Sequence, residues 1–221
     1  FERGEQRVLT YGVAKEDSLF EIGSITKTFT GLILSEMVVD KKVSLDTPVR
    51  ELLPPGTVAK PTGPEITLLS LATHHSGMAR MPDNFHPADP ANPYADYTEK
   101  DLYEFIAKTG LALKPDAKFE YSNVGMGLLG DALAHKAAET YSELLKQDVL
   151  SPLHMGHTFI VLPPAEQANF LAGHNGMDKP VHAWDLDAMA PAGGIRSDVR
   201  DMLKYMACLL YTSDAADDLT R

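Results

Sequence analysis

The sequence predicts an α+β fold in which a long helical region is inserted between the strands of one sheet. Two observations carry this reading: short β-rich runs near the start and again past the middle, and apolar residues recurring every three or four positions through most of the rest. The 221 residues suffice for one large domain or two small ones, and 44% hydrophobic residues is ordinary for a chain with a buried core. The sequence contains no internal repeat and no low-complexity segment.

Residues 6–13 and 18–22 read as strands joined by the polar turn Lys15-Glu16-Asp17. From 24 to about 40, Ile25, Phe29, Leu32, Ile33 and Met37 recur at the helical period, directly after Gly23. A Pro- and Gly-rich loop over 54–64 leads to a short helix over 68–73 with Thr67 as its N-cap. Residues 82–97 hold four prolines and little apolar content, and irregular stretches of that length in compact domains are usually functional or mobile. Helices are expected over 98–107, 124–140 and 141–150, and a strand over 158–162. After the sharp turn Ala192-Gly193-Gly194 comes a last helix over 198–206, capped by Ser197.

Acidic residues outnumber basic ones 31 to 20, for a net charge of -11. Such a surface repels phosphate backbones and anionic lipid headgroups, which excludes a nucleic-acid partner. No apolar run approaches the ~20 residues a bilayer span needs, and the first residues lack the basic-then-apolar pattern of a signal peptide. The chain does not begin with Met. From Cys208 it reads Cys-Leu-Leu-Tyr-Thr-Ser-Asp-Ala-Ala-Asp, which resembles the translated read-through of a sequencing-library adapter. Residues 208–221 are therefore read as a non-native tail, with the genuine chain interrupted mid-helix near Ala207, and the single cysteine says nothing about disulfides or metals.

Ser24-Ile25-Thr26-Lys27 is an S-x-x-K at the start of a helix, where residues three apart share a face. A serine hydroxyl is a weak nucleophile and needs a base within reach. A lysine serves only if desolvation or nearby positive charge lowers its pKa, and burial in the apolar stretch 20–34 would supply the desolvation. The free N–H groups at the helix start favour negative charge on an attacked carbonyl oxygen. The four residues alone are equally those of an ordinary N-cap. A second element is Tyr121-Ser122-Asn123, the only Y-x-N in the chain, ahead of the helix over 124–140. Tyrosine relays a proton when an ammonium stabilises its phenolate, and asparagine both donates to and accepts from a substrate amide. Tyr121 also reads as an amphipathic core residue with a satisfied hydroxyl.

In combination, the stretches 20–31 (around Ser24 and Lys27) and 66–77 (ending His74-His75-Ser76-Gly77), Tyr121-Ser122-Asn123 and Ser151-Pro152-Leu153 resemble the class C β-lactamases and their relatives, over residues 20–206. That group comprises β-lactamases, penicillin-binding D,D-peptidases, D-amino-acid peptidases and esterases. The resemblance implies a β-lactamase/D,D-peptidase-like α+β fold, an antiparallel sheet flanked by helices with a helical domain, and a site at their junction. It implies that Ser24 is acylated and gives one oxyanion-hole amide, that Lys27 is its base, that Tyr121 helps activate the serine or the deacylating water, and that Asn123 holds the substrate amide. The implied substrate is a small molecule or peptide: a β-lactam, a D-Ala-D-Ala peptide or an ester. No cofactor or metal is implied. The family suggests a monomer in the periplasm or outside the cell. Residues 1–207 would then be one catalytic domain, incomplete at both ends. Its sheet would be incomplete, because the third motif (K-T-G or H-x-G) and the second oxyanion donor are expected beyond Met206.

Several features refine this reading. Lys108-Thr109-Gly110 precedes Tyr121 at a helix end, where Gly110 is a natural cap, so it is not the third motif. Y-x-N in place of S-D-N, with no E-x-x-L-N, argues against class A. Ala107 stands where many class C enzymes have a glutamine, and Ala192-Gly193-Gly194-Ile195-Arg196-Ser197 is closer to the esterase and peptidase relatives. His154, His157, His74 and His75 lack clustered carboxylate partners in sequence, so no metal site is expected. Ser76 lacks a G-x-S-x-G. Leu102, Tyr103, Phe105 and Ile106 read as core and Trp184 as a rim residue. The competing class of function is a catalytically silent penicillin-binding sensor.

Overall fold

The computed structural model describes residues 7–114 and 118–218. In chain order its elements begin with β1 (Phe20–Glu21), a 3-10 turn over Gly23–Ile25 and α1 (Thr26–Val39). A 3-10 turn over Val49–Leu52 precedes α2 (Leu68–Ala72), α3 (Glu99–Thr109) and α4 (Asn123–Ala137). Then come α5 (Tyr141–Leu145), a π turn over Lys146–Leu150 and β2 (Thr158–Phe159). The chain continues through a 3-10 turn over Pro164–Asn169, α6 (Ala190–Gly193), β3 (Arg196–Ser197) and α7 (Val199–Asp218).

Local chemistry sets the helix starts. Thr67 and Thr98 each accept a hydrogen bond from the backbone N–H three residues on, from Ser70 and Asp101, whose side chains return the bond. Such boxes satisfy two otherwise unpaired donors at once, and each cap contributes about 1 kcal/mol. Thr140 and Glu143 do the same for α5. Gly110, with φ of 74°, closes α3.

Helix α4 is the axis of the helical region. It buries Val124 through Gly130 and Ala132 through Ala134, so it is enclosed on nearly all sides and shows little amphipathicity. Small residues allow this enclosure: a Cβ on Gly130 would lie 2.3 Å from the ring of Pro191, so α6 rests directly on α4. Around this axis Phe29, Ile33, Leu68, Leu102, Ile106, Leu128, Leu129 and Ile195 are fully buried. Tyr205 of α7 stacks on Phe29 with ring centroids 3.8 Å apart. The sheet is antiparallel, order β1-β3-β2, with Ser197 opposite both Phe20 and Thr158.

Four expectations need correction. Residues 7–13 form no strand and join no ladder of the sheet, and Leu9, Tyr11 and Val13 face solvent; Gln6 lies outside the described residues. The strand expected over 158–162 is confined to Thr158–Phe159, the only positions with a partner on β3. Ser197 does not cap the last helix but sits in β3, its hydroxyl bonded to Thr158 Oγ1 at 2.8 Å; Asp198 Oδ1 accepts the Asp201 N–H instead. That helix also runs to Asp218 rather than ending at 206.

Candidate active site

The site is assembled by α1, the turn before α4, and α6. Ser24 lies in the 3-10 turn that leads into α1, exposed, while Lys27 one turn on is buried. The Lys27 Nζ donates to Ser24 Oγ at 3.2 Å and to the Ala192 carbonyl of α6 at 2.6 Å. The Tyr121 hydroxyl donates to the same Ser24 Oγ at 2.7 Å. Ser24, Lys27 and Tyr121 thus meet at one oxygen.

Electrostatics push the two partners of Ser24 in the direction of proton exchange. Burial lowers the Lys27 pKa from the usual lysine value, and Arg80 adds to this against the opposing pull of Tyr121. Burial alone would raise the Tyr121 pKa; interactions with Lys27 and Ser24 and the charge of Arg80 outweigh it, and the phenol ends below the usual tyrosine value. Lys27 Nζ and Arg80 Cζ lie 4.8 and 5.1 Å from the Tyr121 ring centroid. A deprotonated Lys27 or Tyr121 at these distances is a competent acceptor for the serine proton.

Asn123 is the first residue of α4, half-buried. Its N–H donates to the Arg80 carbonyl at 2.9 Å and its Nδ2 rests 3.6 Å from Met81 Sδ. No direct bond joins it to the Ser24 cluster among the described residues. Ser122 between them caps α4, accepting the Gly125 N–H at 2.9 Å and donating to the Ala79 carbonyl at 2.7 Å. Lys108 is engaged with Asp83 at 2.6 Å, at the end of α3. Ser76 is buried, its hydroxyl oxygen accepting the Met78 N–H at 3.4 Å. Leu102, Phe105 and Ile106 lie in the core; Tyr103 is half-buried. Trp184 is half-exposed against Tyr94.

Three participants escaped the sequence reading. Arg80 and the Ala192 carbonyl carry no local signature, since each reaches the site only through tertiary packing. His74 carries no sequence signal linking it to Tyr121, although its ring centroid lies 4.7 Å from that of Tyr121. As for metals, Glu99, Asp131 and His135 bring one ligand atom each within 4.8 Å of one another. The Tyr103 hydroxyl already bonds Asp131 at 2.9 Å and His135 at 2.6 Å there. A cavity of about 460 Å³ flanked by Leu145, Met155 and Phe159 lies elsewhere and contains none of the Ser24 cluster.

A family model described as Beta-lactamase matches residues 1–220. A beta-lactamase of Pseudomonas fluorescens is 30% identical over 213 residues, covering 93% of this chain and 56% of the relative. The D-alanyl-D-alanine-carboxypeptidase/endopeptidase AmpH of Escherichia coli K12 is 28% identical over 213 residues, covering 92% and 54%. Among solved structures, a beta-lactamase/D-alanine carboxypeptidase from Yersinia pestis superposes with a TM-score of 0.77 at 28% identity, covering 87% of this chain and 54% of that one. A class C beta lactamase gives 0.71 at 28%, covering 87% and 51%. The chain spans about half the length of these relatives. With the family model matching nearly every residue and the fold shared with class C enzymes, the chain belongs to the beta-lactamase family of serine hydrolases.

Proposed function

We propose that the protein opens the amide of a β-lactam through an acyl-enzyme on Ser24. One observation carries this reading: Ser24 Oγ lies within hydrogen-bond reach of two groups whose pKa values are both lowered, Lys27 Nζ at 3.2 Å and Tyr121 OH at 2.7 Å. In acylation Oγ attacks the carbonyl carbon, its proton passes to whichever of the two is deprotonated, and the negative charge collects on the carbonyl oxygen. Collapse breaks the C–N bond, and the nitrogen takes a proton back from the same pair. Water repeats the sequence on the ester, with Tyr121 or Lys27 as base. Asn123 holds the substrate amide in this scheme.

A second reading, cleavage of a D-Ala-D-Ala peptide or an ester, is favoured by Ala107, an exposed alanine on α3 at the place the family often gives to an amide-binding glutamine, and by the 28% identity to a carboxypeptidase. Acylation is common to both readings; they part at deacylation. By family, the protein would work in the periplasm or outside the cell as a monomer.

The test is intact-mass spectrometry of the chain incubated with a penicillin for hours. We expect a gain of one whole penicillin, because ring opening expels nothing, and its absence in Ser24→Ala. An adduct that persists in Ser24→Ala would refute the assignment. Comparing turnover of a cephalosporin, a D-Ala-D-Ala peptide and a short-chain ester separates the two readings.

A further inference from the structure

We propose that His74 is a positioning residue that clamps Tyr121 against Ser24 by gripping the residues on both sides of it. The inference rests on the acyl-transfer reading of Tyr121. The backbone N–H groups flanking Tyr121 both end on His74: Glu120 N donates to its carbonyl oxygen at 2.8 Å, and Ser122 N donates to its ring Nδ1 at 3.2 Å. The imidazole then lies on the phenol itself, with centroids 4.7 Å apart and planes tilted by 35°. Residues 118–122 have no regular structure of their own, so these contacts restrain the backbone on both sides of Tyr121, beside the Ser122–Ala79 bond and the Lys27 and Arg80 contacts to its ring.

The backbone of His74 supports the same role. Its φ of 59° is left-handed, a conformation costly for a side chain with a Cβ, and it lets one residue present both its carbonyl and its ring to the segment. Because Nδ1 accepts an N–H, the neutral ring carries its proton on Nε2. Burial lowers the His74 pKa, and the charges of Lys27 and His75 lower it further, which keeps Nδ1 free to accept. The groups facing the ring are Lys27 from α1, His75 next in the chain, Tyr121, the Phe119 edge, and Arg80 beyond Tyr121. Protonation of Nδ1 would sever the Ser122 bond and add a positive charge to a site that already holds Lys27 and Arg80.

Two variants separate clamp from scaffold. Gly and Asn both tolerate the left-handed backbone, but only Asn restores an acceptor near the Ser122 N–H. The phenol of Tyr121 is followed by ¹³Cζ-tyrosine NMR against pH, with its resonance assigned through Tyr121→Phe, and Ser24 by the rate of penicillin mass gain. In His74→Gly we expect the Tyr121 titration to rise toward the ordinary phenol value of about 10. Labelling should slow by roughly tenfold to a hundredfold, the cost of a misplaced group. His74→Asn should recover part of both, and should lack the fall in labelling that the unsubstituted chain shows as pH drops through the His74 titration. A Tyr121 titration unmoved in both variants, with or without a lower melting temperature, overturns the clamp. If His74→Gly does not fold, His74→Asn alone decides by the same titration. An unsubstituted chain that never gains penicillin mass refutes the acyl-transfer reading, while the Tyr121 titration still decides the role of His74.

Discussion

At Lys27 a single side chain meets two opposed demands: it is buried, and in the proposed reaction it exchanges a proton. Burial disfavours its ammonium and lowers its pKa below the ordinary 10.5. Between that lowered pKa and 10.5 the unfolded chain binds more protons than the folded one, so this group's contribution to stability rises with pH in that window and is flat below it. Replacing it with Met removes a buried charge but leaves the Ala192 carbonyl without its donor, a loss of about 1–3 kcal/mol set against the relief. We expect Lys27→Met to change stability at pH 7 by no more than about 1 kcal/mol, with its advantage over the natural residue shrinking as pH rises toward 10.5. Acylation of Ser24 should be lost. Thermal melts across pH, together with mass labelling, check both. The Ser24–Lys27 contact was legible because S-x-x-K is local, two residues three positions apart. Arg80 was illegible because its place beside Tyr121 is set by a loop conformation that no short pattern encodes.

Among the elements, helices were more legible than strands: β1 and β2 fall inside the expected runs 18–22 and 158–162 but are shorter, while β3 was missed. The Thr67 and Thr98 caps, the amphipathic period of α3 and the apolar character of α1 and α4 are properties of contiguous residues, which the chain's own backbone bonds then satisfy. A strand exists only through its neighbour. Residues 7–13 have the composition of a strand and no ladder, whereas Arg196–Ser197, which read as helix lead-in, pairs on both sides. The contact between α4 and α6 was likewise invisible, although it governs the site: Gly130 admits Pro191, and Pro191 precedes the carbonyl that holds Lys27. Gly130→Ala should force these elements apart, costing roughly 1–3 kcal/mol and slowing Ser24 labelling beyond any loss of folded protein. Labelling rates normalised to the folded fraction by circular dichroism test this. An unaltered normalised rate would show that α6 is not needed to hold Lys27.

For the whole molecule, the described sheet has three strands of two residues each, and the chain spans about half of each relative. An oxyanion hole needs two donors aimed at one oxygen, and loss of one costs about a hundredfold or more. On the reading that the second oxyanion donor lies outside these 221 residues, the chain should hydrolyse a chromogenic cephalosporin at least about a hundredfold more slowly than a full-length relative; a rate close to the relative's would refute that reading. The bond that holds Lys27 spans 165 residues of sequence and the one that brings Tyr121 to Ser24 spans 97. Contacts this distant carry a closure entropy that local helical contacts do not, and are expected to follow helix formation. Helices can nucleate within microseconds, whereas on the proposed reading Ser24 becomes reactive only after both closures. Penicillin uptake during refolding is thus a clock for the final steps, reporting when opposite ends of the chain have found each other.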